Sequence, residues 1–148
     1  MATSMKQRVM EYLTSVDPIT RQQRSIGITF DKVTLLKRSL QVTMLVIMID
    51  EQLTPIYLKS SLCKTELSGE ELAANCVNVL ESFGLTKSML QDKLTGGAVD
   101  GAYIHMNINE HLCNNIGIQQ NWLKISWDVA HLLELAIDDT QNQKKFNW

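Results

Sequence analysis

At 148 residues the chain is about one domain long, enough to bury a single core, and 45% hydrophobic with 20% charged residues excludes a disordered class. A formal charge of -2 excludes a broad electrostatic footprint for nucleic acid, whose nonspecific affinity comes from Lys and Arg neutralising phosphates. The longest apolar run, 42–49 broken by Thr43, falls short of the roughly 20 residues of a membrane helix.

The first predicted element is a helix over 5–16, ended by Asp17-Pro18 because proline disfavours helical geometry in the residue before it. Residues 1–8 lack the apolar core and cleavage site of a secretory signal, so an intracellular protein with no membrane partner is expected. Segments 25–31 and 40–50 are β-branched and apolar, and 35–39 reads as a long hairpin connection between them. A second turn at 50–52 leads into 54–62, where apolar and polar residues alternate. Around the first hairpin lies the richest basic stretch, Arg21, Arg24, Lys32, Lys37 and Arg38.

Ser68-Gly-Glu-Glu71 offers a capping box, and Leu72, Cys76, Val79, Leu80 and Phe83 recur at helical spacing up to Gly84. A further helical turn is expected over 86–92 and a short strand over 93–99. Residues 102–116 are expected to form one helix closed by Gly117, with Asn107 and Asn109 weakening it. Residues 122–127 alternate as a strand, Asp128 caps a last apolar helix, and 141–148 is a polar tail. Cys63, Cys76 and Cys113 form no C-x-x-C pair and read as free thiols, while His105 and His111 match no common zinc spacing. This organisation divides the chain into a helix and linker over 1–24, a domain over 25–140, and the tail.

Three strands followed by alternating helices and strands predict an antiparallel opening, then two parallel strands joined by right-handed crossovers. That is the order of an RNase H-like α/β fold with a mixed sheet and flanking helices. In that order the first and fourth strands are central parallel neighbours, which brings Asp31 and Asp100 to one edge, outside the carboxyl ends of the strands. Two such acids can anchor Mg or Mn for phosphoryl transfer, which needs ions about 4 Å apart and usually a third acid. The competing role for each is a turn or strand-end cap.

The stretches Ile28-Thr-Phe-Asp-Lys-Val-Thr34, Gly96-Gly-Ala-Val-Asp-Gly-Ala102 and Trp127-Asp-Val-Ala-His-Leu-Leu-Glu-Leu-Ala136 resemble the catalytic core of hAT-superfamily transposases and domesticated genes derived from them. The nearest resemblance is to the animal subgroup named for zinc-finger or SUMO-ligase-like proteins, and it covers roughly residues 25–140. It implies that Asp31 and Asp100 are the first two catalytic, metal-binding acids of an Asp-Asp-Glu site, with Thr34, Asp128 and His131 in support. Two departures matter. Val33 stands where a tryptophan is usual, and the family's catalytic glutamate lies beyond a helical insertion that has no counterpart here. Glu134 and Asp138 are the candidate third acids. The family's zinc-chelating finger and dimerisation segment also have no counterpart, so the chain reads as a truncated core.

The leading expectation is therefore a transposase-derived, nuclear or cytoplasmic domain with an incomplete site. Nuclear placement follows from the resemblance. Such a domain acts as a binding or interaction module, with weak DNA binding or a protein as partner and no small-molecule cofactor. The alternative is a divalent-metal nuclease or DNA transposase. A third reading, a SUMO-ligase-related protein, rests on the subgroup's names and on a loose echo of a SUMO-binding run in Val46-Ile-Met-Ile-Asp50-Glu51.

Overall fold

Period-two alternation builds an antiparallel ribbon of β1 (Ile26–Leu35), β2 (Arg38–Ile49) and β3 (Gln52–Cys63) in a computed structural model that describes residues 4–49, 51–64, 66–119, 123–128, 133, 136 and 137. Ile26, Ile28 and Phe30 of β1 share a buried face with Leu45 and Ile47 of β2. Thr29, Asp31, Met44 and Val46 occupy the opposite face. Both strands run further than the apolar pattern indicated.

The expected long connection over 35–39 is instead a two-residue turn, in which Leu36 (φ 49°) and Lys37 (φ 63°) both take left-handed backbone. Tight hairpins whose twist matches their strands require positive φ at both turn residues, a geometry normally signalled by Asn-Gly. Leu-Lys carries no such signal. The next turn uses Glu51 at φ 63°.

Helix α1 (Met5–Thr14) is built into the core: Val9 and Leu13 are buried in the same apolar cluster as Ile26 and Ile28. The Tyr12 hydroxyl donates to the Met48 carbonyl at 2.8 Å and accepts the Met48 N–H at 3.0 Å, tying the helix to β2. Helix α2 (Gly69–Ser82) starts at the expected capping box. The Glu71 N–H donates to the Ser68 hydroxyl at 3.2 Å and the Ser68 N–H donates to the Glu71 carboxylate at 3.0 Å. Its apolar residues Leu72, Cys76, Val79 and Leu80 are buried, and Gly84 (φ 104°) turns the chain away.

After the short α3 (Lys87–Lys93), β4 (Leu94–Val99) leads directly into α4 (Gly101–His105). The single helix expected over 102–116 is two: α4 ends at Met106, and α5 (Ile108–Ile116) begins after Asn107, whose φ of 54° breaks the helical path. Asparagine tolerates left-handed backbone better than most residues, which is why the break falls there. Strand β5 (Lys124–Trp127) follows.

The sheet has the order β3-β2-β1-β4-β5, with β1 parallel to β4 and β4 parallel to β5. The result is a mixed α/β fold, antiparallel on one side of β1 and parallel on the other, with helices packed against it. Gly97 makes the central pairing close. A Cβ there would run into the Ile28 carbonyl oxygen and the Ile125 side chain, so the residue opposite both neighbouring strands has to be glycine. Among the described residues no helix is long and apolar enough to cross a membrane. The expected polar tail, 141–148, lies outside the described residues.

Candidate functional site

Register sets the site. Phe30 of β1 pairs with Val99 of β4, which pairs with Trp127 of β5, and the next residue in each strand direction is an aspartate: Asp31, Asp100 and Asp128. Neighbouring strands lie about 4.8 Å apart, so the three acids leave the sheet side by side at one rim. The Asp128 N–H donates to the Val99 carbonyl at 2.9 Å, extending the β4–β5 pairing by one bond and fixing the third position. All three line a recess of about 190 Å³, together with Thr29, Phe30, Met44 and Val99.

Each acid is held differently. The Asp31 carboxylate is exposed and accepts the Lys32 N–H at 2.6 Å. Asp100 is half-buried and caps α4, accepting the Ala102 N–H at 3.5 Å. Asp128 is half-buried too. The cap explains part of Asp100 without exhausting it, since the same side chain also faces the recess.

Against the buried face of β1 sits Tyr103 of α4, with its ring centroid 5.6 Å from that of Phe30. Burial, then the negative fields of Asp31 and Asp100, drive its phenol far above the ordinary tyrosine range, with the Lys32 N–H bonded to its oxygen as the opposing influence. Tyr103 was not singled out from the sequence. Its spacing of three residues from Asp100 across a helix start was the available signal, but a lone tyrosine among apolar residues reads as core. Thr29 and Met44 were missed for another reason: only the strand register puts them beside Asp31.

Of the other expected site residues, the one described does not join this group. Thr34 lies on β1 three positions past Asp31, where alternation turns it to the opposite face of the strand. His131, Glu134 and Asp138 fall outside the described residues. Among the described residues no three His, Cys, Asp or Glu side chains converge closely enough to hold one metal ion, so Asp128 lines the recess without closing a three-acid set. The carboxylate oxygens of Asp31 and Asp100 are nonetheless hard donors. Magnesium takes one or two protein carboxylates and fills its remaining positions with water and phosphate oxygens.

Among the described residues, histidines and thiols supply no second centre. His105 is exposed on α4, while His111 lies on α5, where it approaches Gly69 at the start of α2. Cys76 and Cys113 are buried free thiols; burial pushes Cys76 up to about 12 and raises Cys113, which keeps both protonated and poorly nucleophilic. The basic stretch divides into separate parts. Arg24 stacks 4.6 Å over the Tyr12 ring, pairs with Asp17 at 3.8 Å and donates to the Ser15 hydroxyl at 3.1 Å, so it braces the chain after α1. Lys37 and Arg38 stand at the tip of the β1–β2 hairpin. No family model, curated protein or solved structure matches this chain.

Proposed function

We propose that this is an RNase H-like domain akin to hAT transposase cores, which binds nucleic acid at its acidic rim through a divalent cation held by Asp31 and Asp100. It serves as a binding module. The observation that carries the reading is the three-strand rung of Phe30, Val99 and Trp127, each followed at the sheet edge by an aspartate. The strand order, with β1 and β4 parallel at the centre, supports the same reading.

Magnesium or manganese bound there supplies positive charge to a phosphate oxygen. The chain's own part is to fix two carboxylates at the rim and to keep the buried Tyr103 phenol neutral. Efficient phosphoryl transfer needs two ions held by converging acids, and two carboxylates are a sparse set for that task. Binding without turnover follows.

Duplex and single-stranded DNA, each with MnCl2 or EDTA, test the reading. Affinity is expected to rise severalfold with manganese in the wild type, to lose that rise in Asp100→Asn, and to be accompanied by no nicking. A rise that survives Asp100→Asn would sink it.

Asp128 favours a second reading, because it lines the same recess as the other two acids. If a bound phosphate draws the three together, the domain is a metal-dependent nuclease or transferase. Manganese-dependent nicking abolished by Asp31→Asn would establish that. The SUMO-related reading finds no such support, since the run it invokes begins at Val46, which is paired on both sides, with Gly27 of β1 and Pro55 of β3.

A further inference from the structure

β1 does not stop at the acidic rim. It continues four residues past Asp31, beyond the end of β4, and returns as β2, so the β1–β2 hairpin projects from the edge that carries the carboxylates. Alternation puts Asp31, Val33 and Leu35 on one face of β1, and cross-strand pairing adds Leu40 to that face opposite Val33, and Leu62 opposite Leu40. Leu35 therefore lies roughly 13 Å along the strand from Asp31, on the same face.

This tip is apolar where apolar residues are costly. Leu36 is 89% exposed, Leu62 67% and Leu35 58%. With Arg38 and Leu40 they line an open cleft of about 560 Å³. Leu36 also sits at φ 49°, a backbone region that leucine rarely adopts and that Asn or Gly would occupy without strain. Exposure and strain together at one residue point away from a stability role. The charge of the hairpin is one-sided as well. Lys37 and Arg38 flank the cleft, and no Asp or Glu occurs between Asp31 and Asp50 in a chain whose net charge is -2.

We infer that the hairpin tip is the nucleic-acid docking element of the acidic rim: Leu36 and the leucine cleft receive an unstacked base, and Lys37 and Arg38 hold the flanking phosphates. This rests on the reading of the rim given above, and it specifies the partner as a strand with an unpaired or frayed base rather than an intact duplex. Apolar wedges of this kind partly unstack bases, and the backbone contacts carry the salt dependence. From the cleft the strand passes down the shared face towards Asp31, bringing a phosphate a few nucleotides away to the recess. An anionic membrane is the competing partner for basic, apolar loops, but it offers no reason for the tip to share a face and an edge with the carboxylates.

Fluorescence anisotropy with a labelled duplex carrying a single-stranded overhang, measured in EDTA and again with MnCl2, reads the two parts separately. Leu36→Asn combined with Lys37→Gly installs the turn pair that the geometry prefers, so melting should rise while affinity in EDTA falls by roughly tenfold. Arg38→Ala should lower the slope of log affinity against log salt by about one. An Asn-Gly variant that melts no lower and binds the overhang as tightly as the wild type overturns the inference. So does sedimentation of the wild type with phosphatidylserine vesicles without binding to the overhang. Loss of EDTA binding in the tip variant, with no manganese effect in the wild type, supports the tip and fails the metal reading. A manganese effect with tip-independent binding does the reverse.

Discussion

Tyr103 is buried in the core, so ionising it would place a poorly solvated negative charge there, against the fields of Asp31 and Asp100 as well. Its folded pKa therefore stands above the unfolded value of 10.0. A group raised in this way contributes stability that is fully present below the unfolded pKa and is lost as pH climbs through the folded one. Cys76 acts in the same direction, between its ordinary 9.0 and about 12. Urea unfolding at successive pH values from 8 to 11 should thus show falling stability. Tyr103→Phe, which keeps the ring against Phe30, should fall less steeply above pH 10. Equal slopes would mean that folding does not raise the phenol.

At the level of elements, α1 offers the sharpest case, because the sequence pattern sets it, within 1–24, apart from the domain over 25–140. Leu13 is fully buried among strand residues, and the Tyr12 hydroxyl is bonded to the backbone of β2. Leu13→Ala should then cost about 2 to 5 kcal/mol in chemical denaturation, the range for a buried leucine that leaves a cavity. A loss below about 1 kcal/mol would show that the helix is an appendage. Helix α2 was legible because its start is written locally: the Ser68 and Glu71 side chains satisfy amides three residues apart, and the apolar stripe follows at once. The first hairpin was not. Its turn residues carry a backbone that their side chains disfavour, so pattern reasoning spread the turn over five residues and cut the strands short. The break at Asn107 is intermediate. Asparagine hinted at weakness there, but only the left-handed geometry turns one helix into two.

For the molecule as a whole, chain order was enough to anticipate a sheet in which β1 and β4 are parallel neighbours, and so to anticipate that Asp31 and Asp100 share an edge. Chain order could not supply what lies around them. Tyr103 arrives because α4 starts immediately after β4, and Met44 through the register of β2. Neither of these is a matter of residue type. The same limit applies to the hairpin beyond Asp31, whose apolar tip becomes meaningful only once its face is known to be that of the carboxylate. The proposed function depends on whether the rim holds a cation. Titrating Mn(II) by electron paramagnetic resonance, with wild type, Asp31→Asn and Asp100→Asn compared at equal ionic strength, addresses this directly. Saturable binding is expected in the wild type, weakening by at least about tenfold in both variants. Binding of equal strength in all three proteins, or none in the wild type at millimolar metal, would contradict it.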